Sequence, residues 1–499
     1  MNLSSLIQRL AKFGTSAQAK VLFFIFCLSL TIWVRKNGFD GYQFGQEIGN
    51  VSAALADGKG FSNVFDHDSG PTAWTPMFFT SIYGLIFKIF GTKSVYSYWA
   101  LFFLRSLLLA ITFHLATRID YGTKINRYRF LLLPIFLVFG YFVVLKRGMD
   151  DVIFNIFLSM SLMYVISNLF TVGFDKTKLK LYLLALIIPL SNISFFIGLF
   201  CFILLTQLSF QLPRIPRGHA LALIIVMVLS MSGWGIRNSY TLNQFIPFKS
   251  NLWFELYLSN VKDDDGILKF TNFREYHPLS NSAVKQEYKD LGEIEFMEKY
   301  RKEALDYLAT GGFDFIGKAA NRAFNIFIWT QFNINNVAPV DVDRLNEKDI
   351  EKLEDKKLIL NQEWICIDLT KREFESQVAA LDLIAPDQVR QDWGDKKKSN
   401  RKAKLKRNNL ILGFLMSLLP TLAIIVCLVM NDIRRNPMFL LTLGLFLITI
   451  GPYLIISFHT RYQLFQMSFY VIFVFLALAT LLDRFVPGYL SDKELQVTS

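Results

Sequence analysis

The stretch VLFFIFCLSLTIWV, residues Val21–Val34, contains no charged side chain and is followed directly by Arg35 and Lys36. A polar, basic segment precedes it and no small-residue cleavage site follows it, so we expect a retained membrane anchor and not a cleaved signal peptide. Of the 499 residues in the chain, 53% are hydrophobic, 49 are Phe and only 19% are charged. This composition is too apolar for one soluble domain and predicts an integral membrane protein.

Apolar runs long enough to cross a bilayer recur along the chain. They lie at about 20–34, 97–117, 130–145, 152–171, 181–191, 193–210, 219–234, 409–430, 437–457 and 463–482. We therefore predict an all-α polytopic membrane protein with about ten transmembrane helices. Thr75–Phe90 is also apolar, but a span there would invert the charge pattern of the later loops. We predict that it is a juxtamembrane helix lying in or dipping into the interface.

Basic residues divide the loops into two sets. Lys and Arg are in excess in the N-terminal segment and at 118–129, 176–180, 213–219 and 432–436, which share one side if the helices alternate. That side is predicted to be cytoplasmic. The extracytoplasmic side then holds a first outer loop at 35–96, a second at 146–151, the long segment 235–408 and the turn 459–462. The basic run 396–409 argues against this assignment, although the rule is weak within long loops.

The same division predicts three modules. They are an N-terminal transmembrane module at 1–234, an extracytoplasmic segment of mixed composition at 235–408, and C-terminal transmembrane helices with a cytoplasmic tail at 409–499. Within the second module, Ala283–Leu308 has the pattern of an amphipathic helix broken at Gly292. The region 333–408 is polar and charged and has no clear period.

Several classes of chemistry find no support in the sequence. Four cysteines, Cys27, Cys201, Cys366 and Cys427, make neither a CxxC metal motif nor a disulfide framework. Glycine-rich nucleotide loops and metal-ligand spacings do not occur either. We therefore expect no cofactor, with a divalent ion held by acidic residues as the alternative. The net charge of +12 indicates anionic membrane lipids as partners and leaves nucleic acid a remote alternative.

Candidate catalytic acids occur in both short outer loops. Glu47 lies in FGQEIGNVSAALADGKGFS (44–62), on a predicted helix with a small-residue face, and Asp150 and Asp151 begin the fourth predicted span. Paired acids at a helix start are also explained by capping and by the helix dipole, and Glu47 could be a solvated loop acid. The flanking Arg147 favours a functional role for the aspartates, because charges at a membrane surface need partners.

Arg237, Arg461 and Arg147 fall on the same predicted face as these acids. A guanidinium group matches phosphate oxygens with two parallel hydrogen bonds, although each arginine could instead be a snorkelling interfacial residue. Acids and arginines together suit a reaction at a membrane-embedded phosphate. One carboxylate would take the proton of an attacking hydroxyl, while arginine stabilises the departing phosphate. A glycosyl group on a lipid phosphate fits this arrangement.

Five stretches of the chain occur in an order that carries a family resemblance. They are QEIGNVSAALADGKGFS with Glu47, SGPTAWTPMFFTSIYGLIFKIFG with Trp74, WGIRNSYTLNQFIPFKSNLWFELYLSN with Arg237, Asn238 and Glu255, HPLSN followed by YKDLGEIEFMEKYRKEALDYL, and HTRYQ with His459, Arg461 and Tyr462. The set resembles the bacterial GT-C membrane glycosyltransferases that use polyprenyl-phosphate sugars, which are related to protein O-mannosyltransferases and lipid A aminoarabinose transferases. It departs from them at Met77, where that group has a second proline, and in 333–408, which has no counterpart.

This resemblance implies a GT-C-like helical bundle in the bacterial inner membrane, with its active site on the extracytoplasmic face. A sugar would pass from a polyprenyl phosphate to a hydroxyl of a glycan, lipid or protein. Glu47 would be the catalytic acid of the first loop, and the second acid would be Asp150 or Asp151. The substrate-binding residues would be Arg237, Arg461, Arg147, Trp74, His459, Tyr462, Asn238 and Glu255.

Two other functions account for the same residues. A transporter or flippase of lipid-linked sugars would also use surface arginines and broken helices. Transporters tend to place charges near the bilayer midplane, however, where Arg105 and His114 are the only strong candidates. A glycan ligase or polymerase acting on a lipid pyrophosphate would have the same arginines and a larger donor.

Overall fold

The computed structural model is predominantly helical. It describes residues 13–36, 44–145, 150–208, 212–268, 270–328, 336–339, 359–361, 364–367, 411 and 413–485. The N-terminal helices are α1 (Ala17–Arg35), α2 (Glu47–Ala56), α3 (Met77–Phe90), α4 (Val95–Arg118), α5 (Thr123–Asn126), α6 (Leu132–Leu145), α7 (Asp150–Thr171), α8 (Lys178–Ile187), α9 (Ile193–Leu208) and α10 (Arg217–Leu242). A 3₁₀ turn at Arg129–Leu131 leads into α6.

The central and C-terminal parts of the described chain continue the helical pattern. Their helices are α11 (Leu252–Asn260), α12 (Phe270–Tyr276), α13 (Ser282–Thr310), α14 (Gly312–Phe327), α15 (Leu419–Val429, after a π-helical turn at Phe414–Leu418), α16 (Asn431–Arg434), α17 (Pro437–Ile455), α18 (Thr460–Phe465) and α19 (Met467–Phe485). Strands β1 (Asn336–Pro339), β2 (Ile359–Asn361) and β3 (Trp364–Ile367) pair antiparallel in the order β1-β3-β2. These strands depart from the all-α prediction, in a region where the sequence has no clear period.

Six of the described helices are long and apolar enough to cross a membrane: α1, α4, α7, α10, α17 and α19. Shorter apolar helices lie at Met77–Phe90, Arg129–Val144, Ile193–Leu208 and Phe414–Val429. Each of the ten apolar runs in the sequence overlaps a helix. The prediction of a helical, multi-pass membrane protein is therefore confirmed. About ten crossings remains a prediction, because only six described helices reach the length of a span.

Helices α7 and α19 form the centre of the bundle. The apolar window of α7 is 83% buried and that of α19 is 67% buried, compared with 22% for α1 at the periphery. Small polar groups join neighbouring helices, since Ser468 donates to the carbonyl of Ile156 at 2.7 Å and the hydroxyls of Thr31 and Ser106 lie 3.3 Å apart. In a membrane the hydrophobic effect does not favour contact between helices over contact with lipid. Hydrogen bonds of this kind therefore help to hold apolar helices together.

The small-residue face of α2 packs against α3. Ser52 donates to the carbonyl of Thr80 at 2.9 Å, and a Cβ atom at Gly84 would lie only 3.0 Å from the Cβ of Leu55. Close approach of two backbones therefore explains the small residues of α2. The predicted helix at Thr75–Phe90 is confirmed as α3, while its juxtamembrane position stays a prediction.

Helices α11–α13 and the first loop form a second hydrophobic cluster beside the bundle, whereas Ile326 and Phe327 of α14 pack into the cluster of the bundle itself. The predicted amphipathic helix is α13, with Tyr288, Phe296 and Tyr300 buried, and its backbone departs from helical geometry at Gly292 (φ 73°), as the sequence predicts. Arg322 of α14 fastens this cluster to the bundle. Its fully buried guanidinium donates to the carbonyls of Leu454 and Ile455 at the end of α17, and also to carbonyls in the 259–266 segment.

Candidate functional site

Segments that are distant in the sequence meet around a cavity of about 360 Å³. They are the start of α3, the start of α7, the turn between α8 and α9, the stretch from Trp234 to Glu255, and the stretch from Pro452 to Phe465. Both short outer loops, the segment after α10 and the turn before α18 thus contribute to one cavity. These are the segments that the charge pattern placed on one face of the membrane.

Glu255 is held at the cavity wall by four polar groups. It lies in the first turn of α11, where Oε1 accepts a hydrogen bond from Asn251 at 3.1 Å and faces the Lys249 ammonium at 4.0 Å. Its Oε2 accepts from the hydroxyls of Ser457 at 2.9 Å and Tyr462 at 2.7 Å. Donors on both oxygens fix the orientation of the carboxylate, and those from Ser457 and Tyr462 join α11 to the segment after α17. Glu255 therefore positions Lys249 and Tyr462 on the cavity wall.

Two tyrosine rings form an aromatic surface in the cavity. Tyr453 and Tyr462 stack with their centroids 4.7 Å apart and their planes 22° apart. The Tyr453 hydroxyl lies beside Ser194 and Asn192, in the polar turn between α8 and α9. Apolar walls with a few fixed polar groups are typical of small-molecule sites.

Asp151 supplies the second acid of the cavity, from the N-terminal turn of α7. Its backbone carbonyl accepts from Asn155, and Asn155 in turn accepts from Asn192 at 2.9 Å. Considering only the residues that the structure describes, the Asp151 carboxylate makes no hydrogen bond or ion pair. Because it lines the cavity at the start of α7, the carboxylate can contact a ligand there. For Asp150 only the helical backbone is described.

Glu47 lies in a separate aromatic cluster. Its Oε1 accepts from Trp74 Nε1 at 2.8 Å and faces His277 Nε2 at 3.3 Å. The backbone N–H of Leu279 donates to the other ring nitrogen of His277, which places the imidazole proton of the neutral ring on Nε2, directed at Glu47. Phe273 stacks on the same imidazole with centroids 4.0 Å apart. Glu47 is therefore a well-partnered carboxylate.

An unusual backbone turn presents Glu47. Phe44, Gly45 and Gln46 have consecutive positive φ angles of 50°, 82° and 50°, and α2 begins at the next residue. For the two non-glycine residues this conformation costs free energy, and it persists where surrounding contacts fix it. The turn places the Glu47 carboxylate in the first turn of α2, where the helix dipole favours negative charge.

One aromatic layer separates Glu47 from the cavity. Trp74, which binds Glu47, contacts the ring of Phe254 with centroids 5.4 Å apart, and Phe254 directly precedes Glu255. Glu47 itself is not among the residues that line the cavity. The expected single pocket therefore contains Asp151, Glu255 and Tyr462, while Glu47 acts on its wall through Trp74.

Arg237 holds the first loop in place. Its guanidinium donates to the backbone carbonyls of Thr72 at 2.9 Å and Phe61 at 2.6 Å, and to the side chain of Asn238 at 2.8 Å. Asn238 is fully buried and donates to the carbonyl of Ile246. Neither Arg237 nor Asn238 lines the cavity. In this structure both fix the loop, and their roles in substrate binding, with Arg237 on the phosphate, stay predictions.

Glu293 fixes the same loop from the other side. This fully buried carboxylate accepts from the Thr72 hydroxyl, from the Ala73 N–H at 2.8 Å and from the Tyr288 hydroxyl at 2.8 Å. Burial raises the pKa of Glu293, while hydrogen bonds from Thr72, Ala73, Tyr288 and Ser250 act in the opposite direction. Burial and the neighbouring Glu293 also raise the pKa of Tyr288. The loop that ends in Trp74 is thus held by buried partners on two sides.

The remaining predicted site residues are described only in part. His459 lies next to the cavity, with its ring centroid 6.2 Å from that of Tyr462, but does not line it. Arg461 belongs to α18, and its side chain lies outside the described residues. Arg147 lies outside them entirely.

Three residues were not identified from the sequence: Lys249 and Tyr453 at the cavity, and His277 in the aromatic cluster around Glu47. Lys249 lies within a stretch that carries the family resemblance, but nothing in its spacing marks it as a cavity residue. His277 reaches Glu47 from 230 positions away, and Tyr453 looks like an ordinary aromatic residue of an apolar run. A histidine followed by proline was the only local signal for His277.

Across the described ranges, no three His, Cys, Asp or Glu side chains group so as to hold a metal ion. The divalent ion that sequence analysis left as an alternative therefore has no ligand set among those residues. No protein-family model matches the chain, and no curated protein or solved structure matches it either.

Proposed function

We propose that this protein is a GT-C-type membrane glycosyltransferase, which transfers a sugar from a polyprenyl-phosphate donor to an extracytoplasmic acceptor hydroxyl. In this proposal it lies in a bacterial inner membrane with about ten crossings, and the cavity opens towards the outer face. The acceptor is a glycan, lipid or protein. The observation that carries the proposal is the placement of Asp151, Lys249 and the stacked pair Tyr453 and Tyr462 on one cavity at the ends of apolar helices.

The donor phosphate would bind at Lys249. This lysine is about one-third exposed, faces the cavity and has Glu255 at 4.0 Å, a separation that permits a phosphate oxygen to replace the carboxylate as its closest partner. The sugar would lie against Tyr453 and Tyr462. Their rings supply a rigid apolar surface, and the Tyr462 hydroxyl is already oriented by Glu255.

Asp151 would act as the general base. It takes the proton of the acceptor hydroxyl while the acceptor oxygen forms a bond to the anomeric carbon of the sugar. The bond from that carbon to the phosphate oxygen breaks, and its electron pair leaves with the polyprenyl phosphate. Lys249 stabilises the charge that develops on the leaving phosphate. One displacement of this kind inverts the anomeric centre and uses no cofactor.

Glu47 would orient the acceptor side of the cavity. Glu47 accepts a hydrogen bond from Trp74. Pro76 and Met77, which follow Trp74 closely in the chain, line the cavity. The Glu47 carboxylate would fix the position of Trp74 and so of the cavity wall that follows it, without touching the acceptor. This assignment keeps Glu47 as a first-loop acid of the resembled family and gives proton removal to Asp151.

The test uses purified protein in detergent with a labelled polyprenyl-phosphate sugar and a panel of acceptors. We expect release of free polyprenyl phosphate by the wild-type protein, and a loss of about 100-fold or more in Asp151→Asn, the usual contribution of a general base. Lys249→Gln should mainly raise KM for the donor. Asp175→Asn, at a 92% exposed carboxylate, and Lys299→Gln are the matched controls.

Three outcomes would overturn the proposal. Movement of intact labelled donor across vesicle membranes without release of lipid phosphate would identify a transporter or flippase. Turnover of a lipid pyrophosphate with no turnover of the monophosphate would identify a glycan ligase or polymerase. Full activity of both Asp151→Asn and Lys249→Gln would remove the cavity from the mechanism.

A further inference from the structure

A second cleft lies at the opposite ends of the helices that form the candidate site. It has a volume of about 240 Å³ and lies between the end of α7, the end of α9 and the start of α17. The candidate site uses the start of α7 and the end of α17, so about 30 Å of helix separates the two, at 1.5 Å per residue. The cleft therefore takes a ligand independent of the proposed sugar donor.

The walls of this cleft are almost entirely apolar. Phe170, Phe202 and Leu445 form its inner side, whereas Leu205 and Leu440 are 45% and 51% exposed at its outer edge. Each of these five residues belongs to an apolar helix. Exposed leucines on such helices face lipid chains in a membrane protein. The cleft thus opens sideways into the hydrocarbon region.

One positively charged side chain, that of Arg435, lies at the end of the cleft. Arg435 is exposed and is the only charged residue among those that line it, so no carboxylate competes for its guanidinium there. Asn436 caps α17 immediately afterwards and fixes the chain at this point, with Oδ1 accepting from the backbone N–H of Met438 at 2.8 Å. A guanidinium at the mouth of an apolar cleft matches a molecule with a negative head and a hydrocarbon tail.

This end of the bundle is basic as a whole. The cations near it in the sequence are Lys176, Lys178, Lys180, Arg214, Arg217, Arg434 and Arg435. Basic groups of this kind mark the side of a membrane protein that faces an anionic leaflet. Charge and shape therefore favour the same occupant.

We propose that this cleft binds one anionic glycerophospholipid, with an acyl chain between α7, α9 and α17 and the headgroup phosphate on Arg435. The interaction is structural: the lipid fills a gap that side chains leave open and links three helices. A zwitterionic lipid would fill the apolar part but gain less from Arg435, so the site selects by net charge.

Glycines of α17 allow a sharp test of the apolar part. Gly444 lines the cleft, and a Cβ atom there meets nothing within 4 Å, so the side chain of Gly444→Leu begins in open space and extends into the cleft. Gly451 lies two turns further along the same helix, is equally open and does not line the cleft. Gly451→Leu is therefore the matched control. Arg435→Gln removes the cation, and its control is Arg434→Gln on the adjacent, exposed residue.

The measurement is native mass spectrometry of delipidated protein, titrated separately with phosphatidylglycerol, phosphatidylcholine and polyprenyl phosphate. We expect Arg435→Gln to weaken phosphatidylglycerol binding about fivefold and to leave phosphatidylcholine binding unchanged. Gly444→Leu should weaken both, and the two control variants neither. Equal effects of Arg435→Gln and Arg434→Gln would overturn the proposal, as would stronger binding of polyprenyl phosphate than of phosphatidylglycerol. If Gly444→Leu does not fold, the comparison of Arg435→Gln with Arg434→Gln alone tests the proposal.

Discussion

The indole N–H of Trp74 donates to Oε1 of Glu47 at 2.8 Å. This contact joins the first turn of α2 to the loop that continues into the cavity wall at Pro76. His277 reaches the same oxygen from a segment 230 positions away. One carboxylate thus connects the first loop, the helices after α10 and the wall of the candidate site.

Replacing Glu47 by Gln removes the negative charge of the side chain and keeps its size and shape. The amide oxygen can still accept from Trp74 and His277, so we expect Glu47→Gln to fold with an unchanged unfolding temperature and to bind donor normally. Transfer should fall by about 100-fold, the cost of misplacing a wall of the site, because the charge-assisted hydrogen bond that fixes Trp74 becomes a weaker neutral one. Donor turnover and thermal unfolding measure the two effects. Asp57→Asn, at the exposed C-cap of the same helix, is the control; full activity of Glu47→Gln would exclude a role for its charge.

The buried carboxylate of Glu293 predicts a pH dependence of stability. Burial raises its pKa above the ordinary value of 4.5, so the folded protein holds this proton more tightly than the unfolded chain does. The resulting stability is fully present below the unfolded pKa and is lost as pH rises through the raised folded pKa. Glu293→Gln has no such proton. We expect the unfolding temperature of the wild type, relative to this variant, to fall between acidic and neutral pH.

Glu298→Gln is the control for this pH series, since its side chain is 45% exposed. It should follow the wild-type curve at every pH. A difference between wild type and Glu293→Gln that is constant with pH, or that grows towards neutral pH, would contradict the prediction.

Tyr462 tests how the cavity wall is held. Tyr462→Phe removes the hydrogen bond to Glu255 Oε2 while Ser457 still donates to that oxygen. We expect a loss of about 1–2 kcal/mol in the free energy of unfolding, because a hydrogen bond to a charged group in a half-buried site disappears. Tyr240→Phe, at a residue that is 85% exposed, should cost nothing measurable. Equal destabilisation of the two variants in denaturant unfolding would show that the Glu255 contact contributes no stability.

The helices and the kink at Gly292 were predictable because they depend on local patterns. A run of apolar residues forms a helix whatever it packs against, and a glycine inside an amphipathic pattern marks a break. The cavity was only partly predictable. Asp151 and Glu255 were identified, whereas Lys249 and Tyr453 have no local signal and His277 has only the proline that follows it, because tertiary packing brings these residues to the two clusters.

Arg237 shows why the binding partner of an arginine cannot be inferred from sequence alone. An arginine after an apolar run suits a phosphate and suits backbone carbonyls equally well, since both present oxygen atoms to the same donors. The structure gives it the carbonyls of Phe61 and Thr72. The strands at 336–367 were missed for a related reason: short strands in a polar region leave no period to detect.

We expect Arg322→Lys to lower the free energy of unfolding more than any other substitution discussed. The Arg322 guanidinium donates to carbonyls of Ser259, Gly266, Leu454 and Ile455, which joins the end of α11 and the segment that follows it to the end of α17. Although burial lowers its pKa to about 10, the group stays protonated at neutral pH. Lysine keeps the charge but has three donors at one point and cannot reach all of these carbonyls. We expect Arg322→Lys to cost at least about 3 kcal/mol, because several buried carbonyls lose their partner.

Limited proteolysis and hydrogen exchange of Arg322→Lys would locate this loss. Both should increase first in the helices α11–α13, because the attachment of the 259–266 segment to α17 is released while their own hydrophobic cluster remains. Arg301→Lys is the control, since this arginine is 46% exposed, forms an ion pair with Glu298 and lies over the ring of Trp253, without any contact to α17 among the contacts described. If both variants unfold at the wild-type midpoint, Arg322 does not fasten the two parts together. If exchange rises uniformly over the whole protein, the helices do not form a separable unit, and the buried guanidinium stabilises one cooperative fold.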